Sequence, residues 1–259
     1  MKQYRLKPAD DPKQRRCDGK VILITGAGGD IGSSVALAAA REGAQILLLD
    51  NRQKALDEIY DAITTEGLSE PVQVTEDLAT IDSTRCDALA LQIEATFGRL
   101  DAFVHLAGVA APLSPGELYP IDIWQRVINA GVNGAWLLTR TLVPLLRAST
   151  DPRLVFTSGI AGRKGRSYWG ATAVAWAAAD AMARSFADEF ETNQAIRVFS
   201  VDPGEVKGAF RSRLFPGASD HDLPSPDDIA DGYVFLISNG SSDFSPTIVK
   251  IRDGVLEAD

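Results

Sequence analysis

The sequence predicts a doubly wound α/β domain, a parallel sheet covered by helices on both faces. Three observations predict it. Short apolar runs alternate with helical segments along the whole chain. The runs are continuously apolar rather than alternating, as strands buried on both faces are. The first run leads through a glycine-rich turn straight into a helix, and right-handed crossovers then put helices on both sides of the sheet.

In chain order, residues 1–19 form a polar N-terminal extension and residues 20–259 a single domain, a length that one α/β domain can absorb. KVILIT (20–25) is a strand, IGSSVALAAAREG (31–43) an alanine-rich helix ending at Gly43, and QILLLD (45–50) the second strand. QKALDEIYDAITTEG is helical, VQVTEDL a third strand, and STRCDALALQIEATFG a helix. DAFVHLAG is a fourth strand. A long helix over about 123–147 follows, with Pro144 expected to kink its last turns. RLVFTS is a fifth strand, and a helix over about 168–193 follows it. IRVFSVDPG is a sixth strand; DDIADGYVFLIS and TIVKIRDG supply a last helix and strand. Residues 204–226 carry few periodic signals and read as a long irregular excursion, either a lid over a site or a plain surface loop.

Composition excludes several classes. A net charge of −9 disfavours a surface that tracks phosphates, so nucleic acid is a poor partner. The N-terminus has no apolar stretch for a signal peptide, and no window reaches the eighteen or so apolar residues of a membrane span. Cys17 and Cys86 are lone and far apart, which fits a reducing cytoplasm rather than a disulfide framework. His105 and His221 have no neighbours at ligand spacing, so no metal site is expected.

The first chemical motif is TGAGGDIG, Thr25 to Gly32. Glycines let the backbone turn tightly and approach a pyrophosphate, and the helix N-terminus behind them offers free N–H groups. A tight strand-to-helix turn needs glycine in any case, so the second strand adds the sharper signal. It ends in Asp50, about twenty residues on, where an acid accepts ribose hydroxyls and repels a 2′-phosphate. A dinucleotide at this turn is therefore expected to be NAD rather than NADP, unless Asp50 only caps the next helix.

These motifs, with Asp77-Leu78, His105 to Gly108 (HLAG) and Asp202 to Gly204 (DPG) at successive strand ends, resemble the short-chain dehydrogenases/reductases, and within them the YciK-like branch. The resemblance runs from Gly19 to Gly254. It implies a Rossmann-type domain with a seven-stranded parallel sheet, NAD(P) as cofactor, and a homodimer or homotetramer built on the two long helices. It carries cofactor-binding roles onto Thr25, Gly26, Asp30, Ile31, Gly32, Asp50, Asp77, Leu78, Ala107 and Gly108.

The departures from that family bear on chemistry. Its members use a tyrosine acid, a lysine that favours the phenolate, a serine that orients the carbonyl and an asparagine that anchors a relay water. The matching positions here are Thr172, Trp176, Gly159 and Gly131. Asp30 replaces a glycine of the turn and reads as an N-cap or as a negative charge beside the pyrophosphate. Leu106 and Gly208 replace an asparagine and a nicotinamide-side threonine. Tyr168 is the fallback acid, on the same helix face as Thr172 if the helix already extends there, with Lys164 and Arg163 nearby; its plainer reading is a half-buried aromatic at a helix start. Ser158, beside the serine position, should point to the opposite face. A non-catalytic member of the family and an active oxidoreductase with a rearranged proton donor are the two functions left open, the first favoured because acid, activator, anchor and relay are replaced together. A small-molecule ligand fits either.

Overall fold

The computed structural model describes residues 3–5, 15–191, 196–241, 244, 247–252 and 254–258; most of the polar extension therefore lies outside the described residues. The strands are β1 (Gln3–Arg5), β2 (Val21–Thr25), β3 (Gln45–Asp50), β4 (Val72–Thr75), β5 (Ala102–His105), β6 (Arg153–Thr157), β7 (Arg197–Asp202), β8 (Ile248–Arg252) and β9 (Val255–Ala258). They form one sheet in the order β1-β9-β8-β7-β6-β5-β2-β3-β4. The seven strands β2 to β8 are parallel, as expected. Two antiparallel strands, β9 on β8 and β1 on β9, extend the edge beyond them. Three paired residues of the polar N-terminal stretch make a strand that periodicity does not announce.

The helices are α1 (Asp30–Arg41), α2 (Gln53–Thr65), α3 (Ser83–Phe97), α4 (Ile121–Ile128), α5 (Ala135–Arg147), α6 (Ile160–Lys164), α7 (Gly170–Phe190), α8 (Ala209–Leu214) and α9 (Pro226–Ile237). Local chemistry sets several ends. Asp82 caps α3 by accepting the Arg85 N–H, and Gly98 closes it in the left-handed conformation. Ser225, Pro226 and Asp228 form a capping box with proline at the first position of α9.

Side chains alternate across the strands. Ile22 and Ile24 join an apolar cluster with α1, α2 and α9. Val21 and Leu23 join another with α3, α5 and α7. Burying both faces is what the continuously apolar runs require.

Several expectations change in detail. The long helix runs unbroken over 121–147, and its irregularity is a π-helical segment, Asn129–Gly134, joining α4 to α5. Pro144 lies inside α5, which continues to Arg147. α7 begins at Gly170, not at 168. The excursion over 204–226 contains the short helix α8, which six residues of mixed pattern could not announce.

Candidate functional site

β3 lies on one side of β2 and β5 on the other, so the strand order reverses between β2 and β5. A crevice opens at such a switch point, beyond the C-terminal strand ends. Every cofactor position named from the sequence gathers there. The turn from Thr25 to α1 crosses the mouth of the crevice, and its glycines are required by contact. Gly26 has φ +67°, and a Cβ on it would lie 2.7 Å from the Ala107 nitrogen; one on Gly32 would lie 2.1 Å from the Gly26 oxygen. Thr25 Oγ1 is buried and sits 2.9 Å from His105 Nδ1. Ile31 packs on the apolar cluster beneath, Leu78 is buried, and Ala107 and Gly108 close the end of β5.

On the β3–β4 side, Asp50 is 7% exposed. Its carboxylate accepts the Gly28 N–H (3.0 Å), the Arg52 N–H (3.0 Å) and Arg52 Nε (3.1 Å). Its acceptors are thus turned inward, and what faces outward is the half-exposed Arg52 guanidinium. Arg52 was legible as a basic residue two places past the strand end. Asp77 accepts the Ala79 N–H and pairs with Arg126 Nη2 at 3.2 Å. α4–α5 comes close here because Gly134 has no side chain: a Cβ would lie 2.8 Å from the Leu78 oxygen.

The β5–β6–β7 side is built differently. A Cβ on Gly159 would lie 2.7 Å from Trp176 Cε3 and Cζ3, so the indole rests directly on the glycine. Trp176 packs 5.2 Å from Trp169 and 6.5 Å from Phe210, centroid to centroid, and Trp169 meets Phe215 at 6.0 Å. Phe210, on α8, also reaches over Gly108. Asp30 is not the N-cap; Gly29 holds that position, and Asp30 begins the first turn of α1. Its carboxylate instead accepts the Phe210 N–H at 3.3 Å. Gly208 has φ +143°, and a Cβ there would lie 2.3 Å from Asp30 Oδ2. Two glycines of the site are therefore matched to two large neighbours, Gly159 to Trp176 and Gly208 to Asp30.

Thr172 is buried with its hydroxyl unpartnered, as is the Tyr119 hydroxyl. Burial pushes the Tyr119 phenol up, against the pull of the Ala171 amide and the Thr172 hydroxyl; both groups lie towards it outside hydrogen-bond geometry. Gly131 lies in the π-helical segment and faces Ala175. Tyr168 precedes the helix, has φ +74° and is 58% exposed, so it does not share a helix face with Thr172. Lys164 is exposed at the end of α6.

Arg163 and Ser158 enter a buried network instead. Arg163 Nε donates to Asp180 Oδ2 at 2.8 Å, Nη2 to Ser158 Oγ at 2.9 Å, and Nη1 approaches Asp202 Oδ2 at 3.5 Å. Burial works to raise the Asp180 carboxyl, but Arg163, Ser200 and Ser158 outweigh it and hold it below the usual carboxylate range. The partners lie on α6, β7 and α7, a convergence that only the fold creates.

His105 lies among Phe103 and Phe156, with Nε2 unpartnered. Burial lowers its imidazole to about 4. A base with a depressed folded pKa contributes stability above its unfolded value, near 6.5, and loses it as pH falls towards 4. Moving from pH 7.5 to 4.5 should cost roughly 2–3 kcal/mol through this residue. In urea denaturation His105→Gln should show a pH dependence smaller by that amount; equal pH dependence in both proteins would contradict it.

A parallel sheet with a glycine turn entering a helix at its switch point defines the Rossmann class of dinucleotide-binding domains. Residues 20–218 match the family described as short chain dehydrogenase. The chain is 36% identical over 230 residues to the uncharacterized oxidoreductase YciK of Escherichia coli K12, covering 89% of this chain and 90% of that one. A Shigella flexneri 2a protein solved in complex with NADP superposes with a TM-score of 0.87 at 34% identity, covering 92% of this chain and 98% of that one. An Escherichia coli CFT073 protein complexed with NADPH superposes with a TM-score of 0.87 at 34% identity, covering 92% and 99%. The chain belongs to the short-chain dehydrogenase family. Among the described residues no helix is long and apolar enough to cross a membrane, and no group of three or more His, Cys, Asp or Glu could hold a metal ion.

Proposed function

We propose that the chain is a non-catalytic member of the family that retains the adenosine side of the family's dinucleotide site, of the NADP type. One observation carries the first part: the Trp176 indole lies on Gly159, the two positions where the family resemblance places the activating lysine and the carbonyl anchor. An indole cannot favour a phenolate, and a glycine donates no hydroxyl. Thr172, at the acid position, is an alcohol with no base beside it. Tyr168 does not replace it, being off the helix and exposed.

The cofactor type is supported by Arg52. The Asp50 carboxylate that the sequence assigned to ribose hydroxyls is occupied by backbone N–H groups and by Arg52, and an outward guanidinium suits a 2′-phosphate. The NADP and NADPH complexes of two structural relatives favour the same choice over the NAD expected from Asp50. When bound, the cofactor of this family supplies a hydride. The residues that fit its adenosine half are Gly28, Arg52, Asp77 and the first turn of α1.

A screen of NADPH oxidation against a few dozen aldehydes and ketones, followed at 340 nm, tests the absence of catalysis. No turnover is expected, because a positioned acid alone is worth ~10²–10⁴-fold and anchor and activator are replaced with it. Robust turnover that disappears in Tyr168→Phe would overturn the proposal and identify the acid.

A further inference from the structure

The two halves of the crevice are built for different guests. A dinucleotide on this fold spans the switch point, with one mononucleotide over β2, β3 and β4 and the other over β5, β6 and β7. On the first side stand a glycine turn, a helix N-terminus and two half-exposed guanidinium groups, Arg52 and Arg126. On the second side the strand ends are covered. Phe210 reaches over Gly108 at the end of β5, and Trp176 lies on Gly159 at the end of β6. The two rings meet each other, and Trp169 and Phe215 extend the aromatic stack outward.

α8, which carries Phe210, is pinned at its start. Asp30 reaches across the crevice mouth from the first turn of α1, accepts the Phe210 N–H and packs on Gly208. That carboxylate also sets a negative charge where the chain of phosphates would pass towards the second half. A second mononucleotide would have to break the Asp30 contact, lift α8 and displace two aromatic rings.

Building on the function proposed above, we propose that this crevice takes an adenosine phosphate rather than a whole dinucleotide. The ligand carries a phosphate on the ribose for Arg52, and no nicotinamide half enters. The fold is then a nucleotide receptor whose second subsite is filled by its own side chains. Ligand affinity comes from the adenosine half alone, so adding nicotinamide ribose phosphate adds nothing. Gly208 and Gly159 are part of the same device, since each makes room for the side chain that closes the subsite.

Calorimetric titration of the full chain tests this, with adenosine 2′,5′-bisphosphate and NADP⁺ as probes. The wild type should bind the bisphosphate at least as tightly as NADP⁺. Asp30→Gly, which releases α8 without opening a core cavity, and Phe210→Ala should each tighten NADP⁺ by about tenfold, the equivalent of ~1.4 kcal/mol, and Phe210→Ala should leave the bisphosphate unchanged. Arg52→Ala should weaken the bisphosphate and leave adenosine 5′-phosphate unaffected. Wild-type affinity for NADP⁺ about tenfold or more above that for the bisphosphate would overturn the half-site, while leaving the dinucleotide site and the absence of catalysis standing. Binding of neither probe would overturn the nucleotide site itself, and with it this inference. Carbonyl turnover in the 340 nm screen would overturn the half-site together with the non-catalytic function, because hydride transfer needs the nicotinamide half inside the crevice.

Discussion

Gly159→Ser should destabilise the protein by about 1–3 kcal/mol, the usual cost of forcing atoms into a filled space. In a chain that also carries Trp176→Lys, the same substitution should cost almost nothing. The backbone at Gly159 is extended, with φ −172° and ψ 164°, so serine adopts it without strain. The whole penalty comes from the new Cβ, 2.7 Å from two atoms of a rigid indole. Removing the indole removes the penalty, and a double-mutant cycle in urea isolates the coupling. Additive losses would show that Trp176 does not rest on Gly159. The cycle also bears on chemistry. A serine restored alone at 159 cannot anchor a carbonyl while the indole fills its place, and a tyrosine restored alone at 172 keeps a phenol's ordinary reluctance to ionise. Gly131→Asn needs room too, since a Cβ there would lie 3.2 Å from Ala175 Cβ. Gain of turnover is therefore expected only from the four substitutions together, in a chain whose Asp30 and Phe210 contacts are also released.

Asp151→Asn should cost about 2–4 kcal/mol, somewhat less than the ~3–5 kcal/mol for removing one partner of a fully buried ion pair, because the Asp151 side chain is 27% exposed. Asp151 collects three cations at the N-terminal ends of the strands. Arg153 Nη1 and Nη2 lie 2.5 and 2.8 Å from its oxygens, Arg197 Nη1 at 2.8 Å, and Lys20 Nζ at 3.4 Å. The Arg153 side chain is completely buried, and that of Lys20 is 7% exposed. Ser241, Ser238 and Pro152 supply Arg153 only with neutral oxygens. An asparagine of the same shape would leave a buried guanidinium without its counter-charge. Burial works to raise the Asp151 carboxyl, yet Arg153, Lys20 and Arg197 hold it below the usual range. The stabilisation is therefore present above the ordinary carboxylate range and is lost as acid protonates the group through its depressed pKa. Urea denaturation at neutral pH measures the loss, and a cost below ~1 kcal/mol, the level of an exposed pair, would refute the assignment.

The architecture was legible in the sequence because it rests on local and periodic signals. Continuously apolar runs such as QILLLD can only be strands covered on both faces, and the turn from Thr25 to Gly32 needs its glycines wherever strand meets helix so abruptly. The sequence does not announce β1 and β9 because three or four residues of mixed polarity carry no period; they are strands only because β8 offers an edge to β9, and β9 in turn to β1. For the site, the sequence by itself determined which side chains are absent: no acid at 172, no ammonium at 176, no hydroxyl at 159. What stands in their place was decided by the tertiary structure. Asp50 reads as a ribose acceptor until Gly28 and Arg52 are seen to occupy it. Asp30 reads as a cap until α8, far along the chain, delivers the Phe210 N–H to it. Side chains remote in sequence meet only where the crossovers bring strand ends together, and spacing along the chain carries no record of that meeting.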